Sequence, residues 1–303
     1  MNGNLALVAA VTTAFAFSPS GLAQAPSSLD TAAIELATGL KGQAIAEENV
    51  FKATKPRADV KIQVDGWTMP PFMGLGSWAA FTQGHGMVVM MGDTVLFEDE
   101  VNPAMSAALD AGLEVTALHN HFFFDEPKVY FMHIGGMGET KTLAAGVRRV
   151  NDKIAEVRAA NATPTKAFAG SIPASSSVSA APLEAALGVK GQVAQGMFKA
   201  VIGRSAEMHG VKVAKDMGIN TWAAFAGSDD AAVVDGDFAM LENELQPVLR
   251  AMRKEGINIV AIHQHMSHEQ PRYFFLHHWG KGKAIDLAQS LKRVLDTQAA
   301  VKS

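Results

Sequence analysis

The sequence predicts an α+β protein built as two tandem homologous domains, each a largely antiparallel sheet with helices packed on one face. Three observations carry this. The phrase Ala117-Leu118-His119-Asn120-His121 recurs as Ala261-Ile262-His263-Gln264-His265, and the residues that follow match at the same offset of 144. Stretches of alternating hydrophobicity, which suit strands, are interleaved with stretches of 3.6-residue period, which suit helices. Residues 159–181, rich in Ala, Ser, Thr and Pro, separate the copies and read as a linker. The expected division is a leader over 1–25, a first repeat over 30–158, the linker over 159–181 and a second repeat over 182–303. Two copies make no solenoid. They make either two similar domains or two halves of one pseudo-symmetric unit.

Composition narrows the functional classes. A chain of 303 residues can bury a substantial core, and a formal charge of −4 gives no electrostatic case for nucleic acid or an anionic membrane. There is no cysteine, which excludes disulfides, thiolate ligands, cysteine nucleophiles and a lipid-modified cysteine. Residues 1–25 carry no charged side chain. Their apolar run Leu5 to Phe17, the break at Pro19 and the small residues Ala23-Gln24-Ala25 have the layout of a secretory signal peptide cleaved near Ala25. The run is short for a membrane span. The expectation is a periplasmic or extracellular protein with no membrane span after cleavage.

The elements follow in order. Asp30 caps a short helix over 31–37 that Gly39 ends, and Pro182 to Leu187 with Gly188 is its counterpart. Gly39-Leu40-Lys41-Gly42-Gln43 then matches Gly188-Val189-Lys190-Gly191-Gln192, and Phe51-Lys52-Ala53 with Arg57 matches Phe198-Lys199-Ala200 with Arg204. Trp78 and Phe81, matching Trp222 and Phe225, suit buried core aromatics. Met87 to Met91 forms a strand that ends at a Gly92-Asp93 turn, with Val95-Leu96-Phe97 beyond it. Met87, Met90 and Met91 suit the strand core, although methionines beside histidines also hint at copper. Glu98, Asp99 and Glu100 before Pro103 suit the first turn of a helix that Gly112 stops; Glu242, Glu244, Pro247 and Gly256 repeat this. Strands over 113–121 and 128–133 precede a closing helix whose Leu143, Val147, Val150 and Ile154 share one face.

Alternation along the strand puts His119 and His121 on one face with Leu113, Val115 and Ala117, as a continuation of the core stripe. Ile257, Ile259 and Ala261 lead into His263 and His265 in the same way. The next strands bring His133 and His277. If the connection centres near Glu126, His133 lies directly opposite His119. The loop supplies Asp125 and Glu269 at matched positions. Three histidines and a carboxylate form a ligand set for a divalent transition metal, Zn first, with Mn, Fe, Ni or Cu also compatible. The candidate ligands are therefore His119, His121, Asp125 and His133, repeated as His263, His265, Glu269 and His277. The bland alternative is a hydrogen-bonded structural cluster. Glu98 and Glu242 are candidate general bases, although solvated acids at a helix start explain them equally well. His85, with Asp229 in the second copy, is a further candidate ligand. Phe124 and Ile134 stand in the first copy where His268 and His278 stand in the second, so the copies need not act alike.

The phrases Val115-Thr116-Ala117-Leu118-His119-Asn120-His121, Glu126-Pro127 and Phe131-Met132-His133, with Glu98 to Pro103 upstream, resemble the LppY/LpqO family of exported bacterial proteins. The resemblance spans residues 30 to 296 and implies an exported, duplicated domain with no settled activity. From the residues, the leading expectation is a metal-dependent hydrolase of the cell envelope. The alternatives are a non-catalytic periplasmic protein binding a metal or a small-molecule or cell-envelope ligand, and a structural envelope module. A lysostaphin-type peptidase is disfavoured, because neither His85 nor His209 is followed by the aspartate that its His-x-x-x-Asp needs.

Overall fold

The computed structural model describes residues 29–84 and 86–302. The leader and His85 lie outside the described residues. In the first repeat the order is α1 (Thr31–Thr38), β1 (Gly42–Ile45), β2 (Val50–Pro56), β3 (Gln63–Val64), β4 (Trp67–Thr68), β5 (Gly76–Gly84), β6 (Met87–Phe97), α2 (Glu98–Asp110), β7 (Glu114–His119), β8 (Asp125–Glu126), β9 (Val129–Gly138) and α3 (Thr140–Ala160). The second repeats it as α4 (Ala180–Leu187), β10 (Gly191–Ala194), β11 (Met197–Gly203), β12 (Ser205–Met208), β13 (Val211–Ala214), β14 (Asn220–Gly227), β15 (Ala232–Leu241), α5 (Glu242–Lys254), β16 (Asn258–His263), β17 (Glu269–Gln270), β18 (Tyr273–Gly282) and α6 (Ala284–Ala299). No helix among the described residues is long and apolar enough to cross a membrane.

The fold is α+β, and the two repeats join into one sheet. Twelve strands run in the order β1-β2-β5-β6-β9-β7-β16-β18-β15-β14-β11-β10, a palindrome centred on the β7–β16 pair. Leu118 pairs with Ile262 at that seam. Of the two arrangements left open, the chain forms halves of one pseudo-symmetric unit. Polar side chains reinforce the join: Asn102 donates to the Ile259 carbonyl and accepts from its amide, and Gln246 does the same for Val115. Buried amide groups must find such partners, so the crossing helices α2 and α5 register the halves.

The helices cover one face. Val101, Met105, Leu109, Leu143, Val147 and Val150 pack there on Leu118, Met132 and Ile134. Each α2-type helix is anchored by a buried acid. Glu100, 0% exposed, accepts from Arg57 and from the Phe97 amide, and it pairs with Arg158 at 2.7 Å. Glu244 holds Arg204 and the Leu241 amide in the same way.

Two sequence expectations fail here. Gly92-Asp93 is no turn: β6 runs unbroken from Met87 to Phe97. Gly92 is there because a Cβ would lie 2.7 Å from the Trp78 carbonyl oxygen and 3.2 Å from Ile134, so a side chain would force the ladder apart. Nor do the histidines continue the core stripe. The β7–β9 ladder slips between Val115 and Ala117, and β16–β18 slips between Ile259 and Ala261. One additional residue inverts the alternation. Val115 and Leu118 therefore face the helices together, and His119 turns to the opposite face.

Candidate metal centre

On that opposite face, the β3–β4 lobe folds over the sheet and packs Ile62, Met69 and Leu75 on Val95, Phe97, Val129 and Phe131. The β12–β13 lobe does likewise with Val213, Ile219, Tyr273 and Phe275. These small cores sit under the histidines. His121 lies flat on Phe131, with ring centroids 3.3 Å apart, and His265 on Phe275 at 3.6 Å. A ring held flat on a buried phenylalanine keeps one orientation, which a ligand needs.

The two members of each His-x-His pair meet through their Nε2 atoms, at 3.1 Å in both repeats. The third histidine joins by a register other than the one expected. Ala117, not His119, stands opposite His133, while His119 stands opposite Phe131. The two-residue shift leaves His133 within diagonal reach, and its ring stacks on His119 with centroids 5.3 Å apart. His277 stacks on His263 at 4.7 Å, and its Nδ1 lies 3.3 Å from the Gly236 carbonyl.

The acid is a different residue from those expected. Asp93 stands opposite His133 across the β6–β9 ladder, and Asp237 opposite His277 across β15–β18. Asp237 Oδ2 lies 2.9 Å from His265 Nε2. One donor atom each from Asp237, His263 and His265 lie within 4.8 Å of one another, the group among the described residues whose spacing suits an ion. Four donors about 2.05 Å from a zinc ion stand roughly 3.3 Å apart, so the 2.9 and 3.1 Å separations are close to a coordination edge. The Gly218 carbonyl, 3.0 Å from His265 Nδ1, fixes that ring from behind.

Burial sets the charge state. Asp93 is 7% and Asp237 3% exposed, and the Oδ1 of each has no hydrogen-bond partner among the described residues. Burial raises the Asp237 pKa against the pull of His265 and His277. Burial, then His277 and His265, pushes His263 down to about 4. Burial likewise lowers His119, with His121 and His133 adding to it and Asp93 opposing. The His119 and His263 rings are thus biased towards the neutral form that binds metal.

Asp125 and Glu269 serve the hairpin instead. Asp125 Oδ2 accepts from the Val129 amide at 2.6 Å, and its Oδ1 lies 3.2 Å from Lys128 Nζ. Glu269 Oε1 accepts from the Tyr273 amide at 3.2 Å. Both are buried clamps across the turn, and Glu269 is outside the donor group of its repeat. Glu98 begins α2 beside Asp125, Lys128 and Lys166, with burial raising its pKa, and Glu242 is exposed at the start of α5. Neither carboxylate hydrogen-bonds an imidazole among the described residues. Asp229 holds Ser179. His268 packs beside His209 with centroids 5.1 Å apart, and His278 is buried on the helix side. Asp93 and Asp237 carried a legible signal, since Gly92-Asp93 and Gly236-Asp237 match at the same offset as the histidines.

A family model described as a Domain of Unknown Function (DUF1259) matches the chain twice, over residues 32–153 and 181–297. No curated protein matches the chain. Two solved structures show distant likeness. One is the trimeric bacterial microcompartment shell protein PduB, at 9% identity and TM-score 0.22, covering 84% of this chain and 89% of that one. The other is the double ringed trimeric shell protein MSM0271 from the RMM microcompartment, at 11% identity and TM-score 0.18, covering 82% of this chain and 98% of that one.

Proposed function

This chain belongs to that family of unknown function in both its halves, and on that premise we propose that each half holds one divalent transition metal ion, zinc before others, for metal-dependent hydrolysis. The observation that carries the reading is the donor group Asp237, His263 and His265; Asp93, His119 and His121 stand at the matching positions of the first repeat. Three protein ligands leave a coordination position open for water, as in catalytic rather than structural zinc sites. A bound ion lowers the pKa of that water and supplies a nucleophile near neutral pH. His133 and His277, stacked beside the pair, are placed to exchange a proton with it. The likeness to LppY/LpqO proteins and the leader-like residues 1–25 support work outside the cytoplasm on a small-molecule or cell-envelope substrate.

The reading is tested on chelator-stripped full chain, resupplied with zinc and offered a panel of chromogenic esters, amides and phosphodiesters. Turnover should require the metal and should fall by about 10²–10⁴-fold in His133→Ala/His277→Ala, the range for losing an acid–base group. Uptake of zinc with no turnover on any substrate favours the non-catalytic binder. Turnover that ignores both metal and variant overturns the hydrolase.

A further inference from the structure

The face that carries Asp93 and His133 continues into something the metal centre does not use. Along β6, Met87, Val89 and Met91 share the side of Asp93 by alternation. Along β9, Gly135 and Met137 share the side of His133. The ladder sets Asp93 against His133, Met91 against Gly135, and Val89 against Met137. These are surface positions: Met91 and Met137 are each 62% exposed, Met87 41% and Val89 36%. The sequence suggested strand-core methionines, which holds for Met90 alone, at 0% exposed.

An exposed strand position favours β-branched or aromatic side chains, or polar ones, so strand propensity does not account for three unbranched thioethers. Nor does the duplication require them. The second repeat carries Ala231, Val233, Asp235 and Lys281 at the matching positions. Met91 and Met137 are diagonal neighbours, with Cα atoms about 7–8 Å apart, a gap that two long flexible side chains close over one ion. Gly135, opposite Met91, places no side chain between the sulfurs.

We propose that the first repeat carries a second, soft-metal site on this face, in which the thioethers of Met91 and Met137, with Met87 alongside, bind a monovalent d10 cation, Cu(I). Thioether sulfur selects Cu(I) over the hard and borderline divalent ions. The imidazoles of His119 and His133 lie further along the same face, about two strand steps or 7 Å from Met91 at Asp93. This goes beyond the zinc reading and stands independently of it.

The test is an anaerobic titration of the stripped full chain against a colorimetric Cu(I) chelator. It is paired with Ag(I) titration of protein carrying ¹³C-methyl methionine. Met91→Leu/Met137→Leu keeps the apolar surface and removes only the sulfurs. It should lower Cu(I) affinity at least tenfold, while His119→Ala/His121→Ala, which abolishes zinc binding in that repeat, retains Cu(I). Ag(I) should shift the Met91 and Met137 methyl resonances before that of Met197, which the ladder pairs with Ala194. Unchanged Cu(I) affinity in the leucine variant overturns the proposal. So does a chain that self-associates through this patch, with the leucine variant still dimeric and Met91→Asp monomeric, because the methionines would then be an apolar interface between copies.

Discussion

Replacing His278 with isoleucine, the residue at the matching position 134, should flatten the acid limb of the stability profile. His278 is 1% exposed, and it lines an apolar void with Ile202, Phe238 and Leu291. Neither of its ring nitrogens has a hydrogen-bond partner among the described residues. Burial, and then His277, pushes its pKa down to about 3, against roughly 6.5 in an unfolded chain. Above about pH 6.5 the ring is neutral in both states. Below that, the unfolded chain takes up a proton that the folded chain refuses, so stability is lost as the pH falls towards the folded value. The limiting slope is about 1.4 kcal/mol per pH unit, or about 2–3 kcal/mol between roughly pH 6.5 and pH 4.5. At neutral pH the variant should also gain about 1–3 kcal/mol, because two unpartnered polar atoms are removed. Urea unfolding of metal-free wild type and variant across that range measures both effects. The variant's advantage must grow on acidification; parallel profiles would show that the folded protein does not hold His278 neutral.

Further outcomes follow from the same geometry. Asp93→Asn should weaken zinc binding in the first repeat at least tenfold by isothermal titration, the scale for losing an oriented carboxylate. Asp125→Asn should leave affinity within twofold and lower the unfolding midpoint, since its carboxylate holds the Val129 amide. Glu100→Ala should cost about 3–5 kcal/mol in urea, because it strands the buried Arg57. Glu244→Ala should cost less, since Arg204 is 23% exposed and water can take over part of its solvation. Gly236→Ala should destabilise and perturb the second site together, since a Cβ would lie 2.3 Å from the Trp222 carbonyl oxygen one residue from Asp237.

Much of the fold was legible because local chemistry and tertiary structure agree. Asp30 accepts from the Ala33 amide, Gly39 and Gly188 end their helices in the left-handed region, and the matched registers recur strand by strand. The duplicated histidines pointed to a site. Their face was not legible, because a single bulge residue at Thr116 has no side-chain signature and yet reverses everything after it. The acid was missed for a related reason. Gly92-Asp93 carries the composition of a turn, while the glycine's real task is close strand approach and the aspartate's is to face His133. The joining of both halves into one sheet depends on contacts between residues about 144 apart, which no local pattern encodes.

We propose that each half carries one metal ion on its His-x-His pair and the aspartate across the ladder. Elemental analysis of the full chain, purified with zinc supplied and then dialysed, tests it most directly. The wild type should retain two ions per chain, either His119→Ala/His121→Ala or His263→Ala/His265→Ala one, and the protein with both pairs removed none. Wild-type protein that retains no metal, or variants that retain as much as wild type, would contradict it.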